Sequence, residues 1–147
     1  MFKLISICAL LPTLIVSCAV LPQTPAEVRE KGLHDDYCSQ QPFSASFDTI
    51  KAAMEKRYDR ETGTVAAGAT MMPGSKRAVR VVSRTDDAAT LAVTFDVGNQ
   101  SGLMLVIDLK RTEQCPTTMT VIRLNNSFWK QDSKDFAAAI AASATNR

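Results

Sequence analysis

The chain has 147 residues, of which 46% are hydrophobic, 22% charged and 6% aromatic, an ordinary globular composition with room for one domain. Collagen-like, coiled-coil and intrinsically disordered classes are excluded by that balance. Seventeen Lys+Arg against 15 Asp+Glu leave a net charge of +2, so there is no global basic field of the kind a nucleic-acid binder uses.

The first element is a leader. Lys3 is followed by thirteen uncharged residues from Leu4 to Val16, with Pro12 inside the run. A charged start and an apolar run of this length fit a secretory signal, whereas a membrane-spanning helix needs roughly 20 apolar residues. The stretch Ile15-Val16-Ser17-Cys18 then resembles a bacterial lipobox, with Ser17 at the small position and Ile15 where Leu is commoner. The resemblance implies that residues 1–17 are removed as a signal peptide and that Cys18 carries a diacylglyceryl thioether and an acylated amino group. With about 0.8 kcal/mol per buried methylene, three acyl chains hold a protein to a bilayer where a single myristoyl chain binds only marginally. Cys8 is excluded from this role because bulky Ile7 precedes it. Ala19 follows the cysteine, and by the same resemblance that favours the outer membrane of a bacterial envelope, with the domain facing the periplasm. The alternative is cleavage after Ala19, with Ser17 and Ala19 as the small-x-small site and a soluble periplasmic domain released.

Residues 18–37 read as a lipidated tether, with Pro22, Pro25 and a cluster of charges but few large apolar side chains. Within it Thr24-Pro25-Ala26-Glu27 matches a capping box with proline at the first helical position, and Gly32 is placed to end a short helix over Pro25 to Lys31. Removal of the signal leaves Cys38 and Cys115 as an even pair in an exported chain, which predicts a disulfide. A Cys38 nucleophile assisted by His34, with Asp35 or Asp36 orienting it, is the sharper alternative, but a polar spacer supplies no rigid electropositive pocket. His34, Asp35, Asp36 and Cys38 lack the paired spacing of a structural zinc site, so no metal and no other cofactor is expected.

Residues 38–147 read as a single domain. Ser44 or Ser46 caps a helix whose Phe43, Phe47, Ile50, Met54 and Tyr58 fall on one stripe, ending near Arg57. Five strands follow, joined by turns: Thr64 to Met72, Arg77 to Arg84, Thr90 to Val97, Leu103 to Lys110 and Thr118 to Leu124. Leu91, Val93, Phe95 and Val97 share one face, as do Leu103, Leu105, Ile107 and Leu109. A last helix starts at Asp132 or Ser133 and carries Phe136 and Ile140. Turn-joined strands exclude a doubly wound parallel fold, which needs a helix in each crossover. The expected architecture is α+β, an antiparallel sheet of about five strands with an N-terminal and a C-terminal helix packed on one face.

Phe47 to Tyr58, the turn Asp59-Arg60-Glu61-Thr62-Gly63-Thr64-Val65 and the closing Ser133 to Ala142 helix together resemble the helix-grip domains of small envelope lipoproteins, including lipoprotein subunits of the outer-membrane β-barrel assembly machinery. Those domains share a scaffold and differ in partners, so no binding residue is carried across. Lys76, Arg80 and Arg84 are placed on one side of the second strand, opposite Val79 and Val81. This is a candidate contact for anionic headgroups or an acidic partner, to be weighed against a charged edge that discourages strand pairing. Phe128-Trp129 and Met71-Met72 read as core before contact surface. Asp35-Asp36 and Asp86-Asp87 are adjacent in sequence and diverge, unlike the facing carboxylates of a glycosidase. With a single His, no Ser-His-Asp set is credible. The reading is a non-catalytic accessory or scaffold in envelope assembly or maintenance, held to the membrane by its lipid and working through an envelope protein partner, with no nucleic acid. Its rival is a periplasmic carrier of a hydrophobic ligand in a sheet–helix groove.

Overall fold

The structure is a computed structural model and describes residues 21–59, 76–97, 100–124 and 130–145. The elements in chain order are α1 (Pro25–Lys31), β1 (Gly32–Ser39), α2 (Phe43–Tyr58), β2 (Lys76–Arg84), β3 (Ala88–Val97), β4 (Gln100–Lys110), β5 (Thr117–Leu124) and α3 (Lys130–Thr145). The five strands form one antiparallel sheet in the order β1-β5-β4-β3-β2. The α+β class therefore holds, with five strands, but the strands are not the five that hydropathy picks out. The expected strand Thr64 to Met72 lies outside the described residues, and the fifth place is taken by β1.

Strand β1 lies in what reads as tether. Its sequence is polar, and its His34 and Asp36 stand exposed at an edge. What makes it a strand is its partner: Gly32 to Ser39 pair in unbroken register with Leu124 to Thr117 of β5. On the other set of β1 positions, half-buried Asp35 is matched to the guanidinium of Arg123 at 2.9 Å, so an acidic residue is tolerated where an apolar one is the rule. The boundary expected between residues 37 and 38 therefore falls inside a strand, and the fold begins no later than Leu21.

The short helix forms as its spacing predicts. Thr24 Oγ1 accepts from the Glu27 N–H at 3.3 Å, and the Glu27 carboxylate accepts from the Gln23 and Thr24 N–H groups at 2.6 and 3.4 Å. Gly32 ends it, and a Cβ there would stand 2.6 Å from Val28 O and 2.7 Å from the Ile122 side chain. Seven residues are marginal as an isolated helix, and α1 persists because Val28 is fully buried. In α2 the five-residue apolar stripe is buried as expected, but the cap is not. The helix starts at Phe43, and Ser46 is buried inside it, 3.1 Å from Ser39 Oγ and donating to Gln41 O at 3.3 Å.

Alternation along the strands divides the apolar side chains into two clusters. Leu91, Val93, Leu105, Ile107 and Val121 join Phe43, Phe47, Ile50, Met54 and Tyr58 of α2 and Phe136, Ala137 and Ile140 of α3. Ala92, Leu103, Val106, Ile122 and Leu124 join Val28 of α1, with Leu21 against them. Both faces of the middle strands are thus covered, which is why β4 reads as an unbroken apolar run from Leu103 to Ile107. Leu103 belongs to the second cluster, contrary to the expected face with Leu105, because the register shifts where Val93 and Thr94 face Leu105 and Leu103, leaving Met104 as an extra residue. A single bulge moves everything beyond it to the opposite face.

Candidate contact surface

A cross-link closes one end of the sheet. Cys38, at the end of β1, and Cys115, before β5, form a disulfide with Cα atoms 5.8 Å apart, 77 residues apart in sequence. The Cys38 nucleophile weighed above is thereby removed, since both sulfurs are consumed. Its supposed helpers have other tasks: His34 Nε2 lies 2.8 Å from Arg29 O, Asp35 pairs with Arg123, and Asp36 accepts from Thr120 Oγ1. Asp87 is paired with Arg111 at 3.0 Å. Among the described residues no three His, Cys, Asp or Glu side chains converge as a metal site would require.

Strand β2 is the outermost strand of its side of the sheet and carries four cations in nine residues, with no acid. A second bulge decides how they are displayed. Val81 faces Leu91, but Ser83 faces Thr90 and Arg84 faces Ala89, so Val82 is the extra residue and the alternation reverses beyond it. Lys76 and Arg80 remain on the α1 side. Arg84 crosses to the α2 side, where its guanidinium carbon lies 4.0 Å from the centre of the Phe47 ring, a cation–π contact. The three cations therefore do not make one patch, and the expectation that they share a side is corrected. Arg77, by contrast, is only 8% exposed and has its guanidinium 5.8 Å from the Phe95 ring centre.

The bulge also exposes apolar surface. Val81 and Val82 are 43% and 50% exposed, the large hydrophobic side chains left open among the described residues. Beside them, where α1 does not reach across the sheet, lies an open groove of about 410 Å³. Arg80, Val81 and Val82 form one wall, Ala92, Thr94 and Asp96 the floor, and Gln23, Ser101 and Leu103 the far side. Sequence reasoning finds only Arg80 of this set. Apart from its neighbours Val81 and Val82, the rest come from the approach to α1, from β3 and from β4, which no local spacing connects to Arg80.

The other charged cluster is structural. Arg29 of α1 holds Asp108 of β4 through two bonds of 2.7 Å and reaches Thr90 Oγ1 at 3.2 Å, while Thr90 donates to the same carboxylate at 2.7 Å. Burial works to raise the Asp108 pKa, but the bonds from Arg29 and Thr90 and the charges of Arg29 and His34 outweigh it and hold the carboxyl below its ordinary value. Burial, with help from Asp35, raises the Tyr37 phenol.

Lipid-attachment candidate Cys18, together with Met71-Met72 and Phe128-Trp129, lies outside the described residues. No helix among the described residues is long and apolar enough to cross a membrane. No family model, no curated protein and no solved structure matches the chain.

Proposed function

We propose that this chain is a lipid-anchored domain of the bacterial outer membrane, facing the periplasm, that acts without catalysis as an accessory or scaffold in envelope assembly or maintenance. Cys18 is the anchor, and α2 and α3 laid across one face of the sheet make the rigid body that presents a contact surface. One observation carries the reading: the Cys38–Cys115 disulfide staples the first strand to the approach of the last, an arrangement that persists in oxidising compartments such as the periplasm. It agrees with the leader and the lipobox-like stretch that precede the fold.

Protein contact is favoured over carriage of an acyl chain by where the space lies. Phe47, Ile50 and Met54 are buried in one cluster with Val93, Leu105 and Ile107, filling the helix–sheet interface that a hydrophobic ligand would need. The open groove lies on the opposite face, and Arg80, Asp96, Thr94, Gln23 and Ser101 suit it to polar contacts. Exposed Val81 and Val82 beside a cation give β2 the mixed character of a protein-contact edge.

The test is crosslinking in the intact envelope followed by mass spectrometry, run on the parent and on Cys18→Ser. Expected are a parent that is membrane-bound, with an intact mass raised by its acyl chains, and a defined protein crosslinked to it. The variant lacks the mass increment and leaves the membrane fraction. Equal mass increment and equal fractionation in both chains refute the anchor, and a parent crosslinked to no protein refutes the scaffold.

A further inference from the structure

The stretch just after Cys18 is fastened to the sheet at a defined place. Pro22 O accepts from the Leu103 N–H at 2.7 Å, and Gln23 Nε2 donates to Ser101 O at 2.5 Å. Leu21 lies so close over Gly102 that a Cβ on the glycine would stand 2.3 Å from the leucine Cβ. All of these contacts are at one end of the sheet, the end where β3 turns into β4 and where Asp96 is flanked by Ser101 on one side and Lys76 on the other. The far end, some 30 Å away along β4, holds the disulfide, the Asp86-Asp87 turn and Glu113.

Cys18 and Leu21 are three residues apart. Three Cα–Cα steps span no more than about 11 Å. A lipid on Cys18 therefore cannot hold the domain at the end of a twenty-residue spacer.

We propose that the β3–β4 end of the sheet, with Lys76 and the groove wall at Arg80, rests against the headgroups of the bilayer in which Cys18 is anchored, and that the disulfide end points away from the membrane. This rests on the lipid-anchor reading of Cys18. The occupant of this surface is the anchoring leaflet, because the leash of at most about 11 Å falls well short of the roughly 30 Å to the disulfide end. Lys76 and Arg80 stand on the sheet face where Leu21 is fastened and meet headgroup phosphates favourably. The further half of β2, with exposed Val81 and Val82, and the disulfide end stay clear of the headgroups and are left for a periplasmic partner.

The experiment uses the chain from Cys18 to Arg147, which contains every described residue. With Cys38 and Cys115 bridged, Cys18 is its single free thiol. That thiol is coupled to a maleimide-headgroup lipid in vesicles of phosphatidylethanolamine and phosphatidylglycerol that also carry a headgroup acceptor dye. A fluorescent amino acid replaces exposed Ser101 in one sample and exposed Glu113 in another. Energy transfer from position 101 is expected to exceed that from 113 by at least about twofold, given their separation of roughly 30 Å along the strand. Twelve Gly/Ser residues inserted between Val20 and Leu21, a coil of about 20 Å, are expected to erase most of that difference. Equal transfer from the two positions, or more from 113, overturns the proposed orientation, and a difference that survives the insertion overturns the short leash as its cause. Because the lipid is attached chemically, an orientation failure here is distinct from a failure of the anchor reading, which the Cys18→Ser mass comparison reports.

Discussion

Gly102→Ala puts a single methyl group where Leu21 lies. The added Cβ meets the Leu21 Cβ at 2.3 Å and Pro22 O at 3.1 Å, and the first of these is a backbone-proximal atom that no rotamer change removes. Ordinary carbon–carbon contact needs about 3.5–4.0 Å, so the Leu21-Pro22 segment must lift by more than an ångström. The Pro22 O to Leu103 N–H bond of 2.7 Å does not survive such a lift, at a net cost of about 1 kcal/mol. Half-buried Leu21 loses its place against the second cluster, about another 1 kcal/mol. The expected loss is about 2 kcal/mol in urea unfolding of the disulfide-bonded protein, or a Tm lower by about 5–10 °C. Hydrogen exchange locates the effect: the Leu103 amide, protected in the parent, should exchange much faster, while amides of β5 opposite α3 change little. A stability within about 0.5 kcal/mol of the parent, with Leu103 still protected, refutes the claim that the segment ahead of α1 is fastened at Gly102.

Two further outcomes follow from the cross-link and the half-buried Asp108 carboxylate. Replacing both Cys38 and Cys115 by Ser opens a 77-residue separation, for which the loop-entropy relation gives about 4–5 kcal/mol as an upper value; urea midpoints of the two proteins measure it, and a loss under about 1 kcal/mol shows that β1–β5 pairing alone secures this end. Asp108 titrates below its ordinary value in the folded state, so its contribution is complete above the unfolded pKa near 4 and disappears as pH falls through the depressed folded value. For Arg29→Met the stability loss at pH 7 is expected to be about 1 kcal/mol, the pair being partly exposed, and to shrink below pH 4; a loss independent of pH assigns the arginine a packing role only.

The sequence by itself determined what local chemistry determines. The capping box and Pro25 set the bounds of α1, the apolar stripe of α2 is the one that is buried, and β2, β3, β4 and β5 all lie within a few residues of where alternation puts them. The two cysteines were legible as a pair because, once the leader-like stretch is set aside, Cys38 and Cys115 are the even pair left within the domain. Tertiary structure alone decided the rest. Gly32 to Ser39 looks like a spacer because its strand character comes from the β5 edge it pairs with and from the Arg123 that neutralises Asp35, neither of which lies near it in sequence. The two bulges, at Val82 and Met104, each carry one extra residue with no turn signature, yet they decide that Arg84 stands over Phe47 and that Leu103 joins Val28. Faces of a strand are fixed by parity, and parity is a property of the pairing, not of the chain. The groove at Arg80 is legible only once the pairing is known, because its walls come from the approach to α1 and from three strands that meet only in the folded sheet.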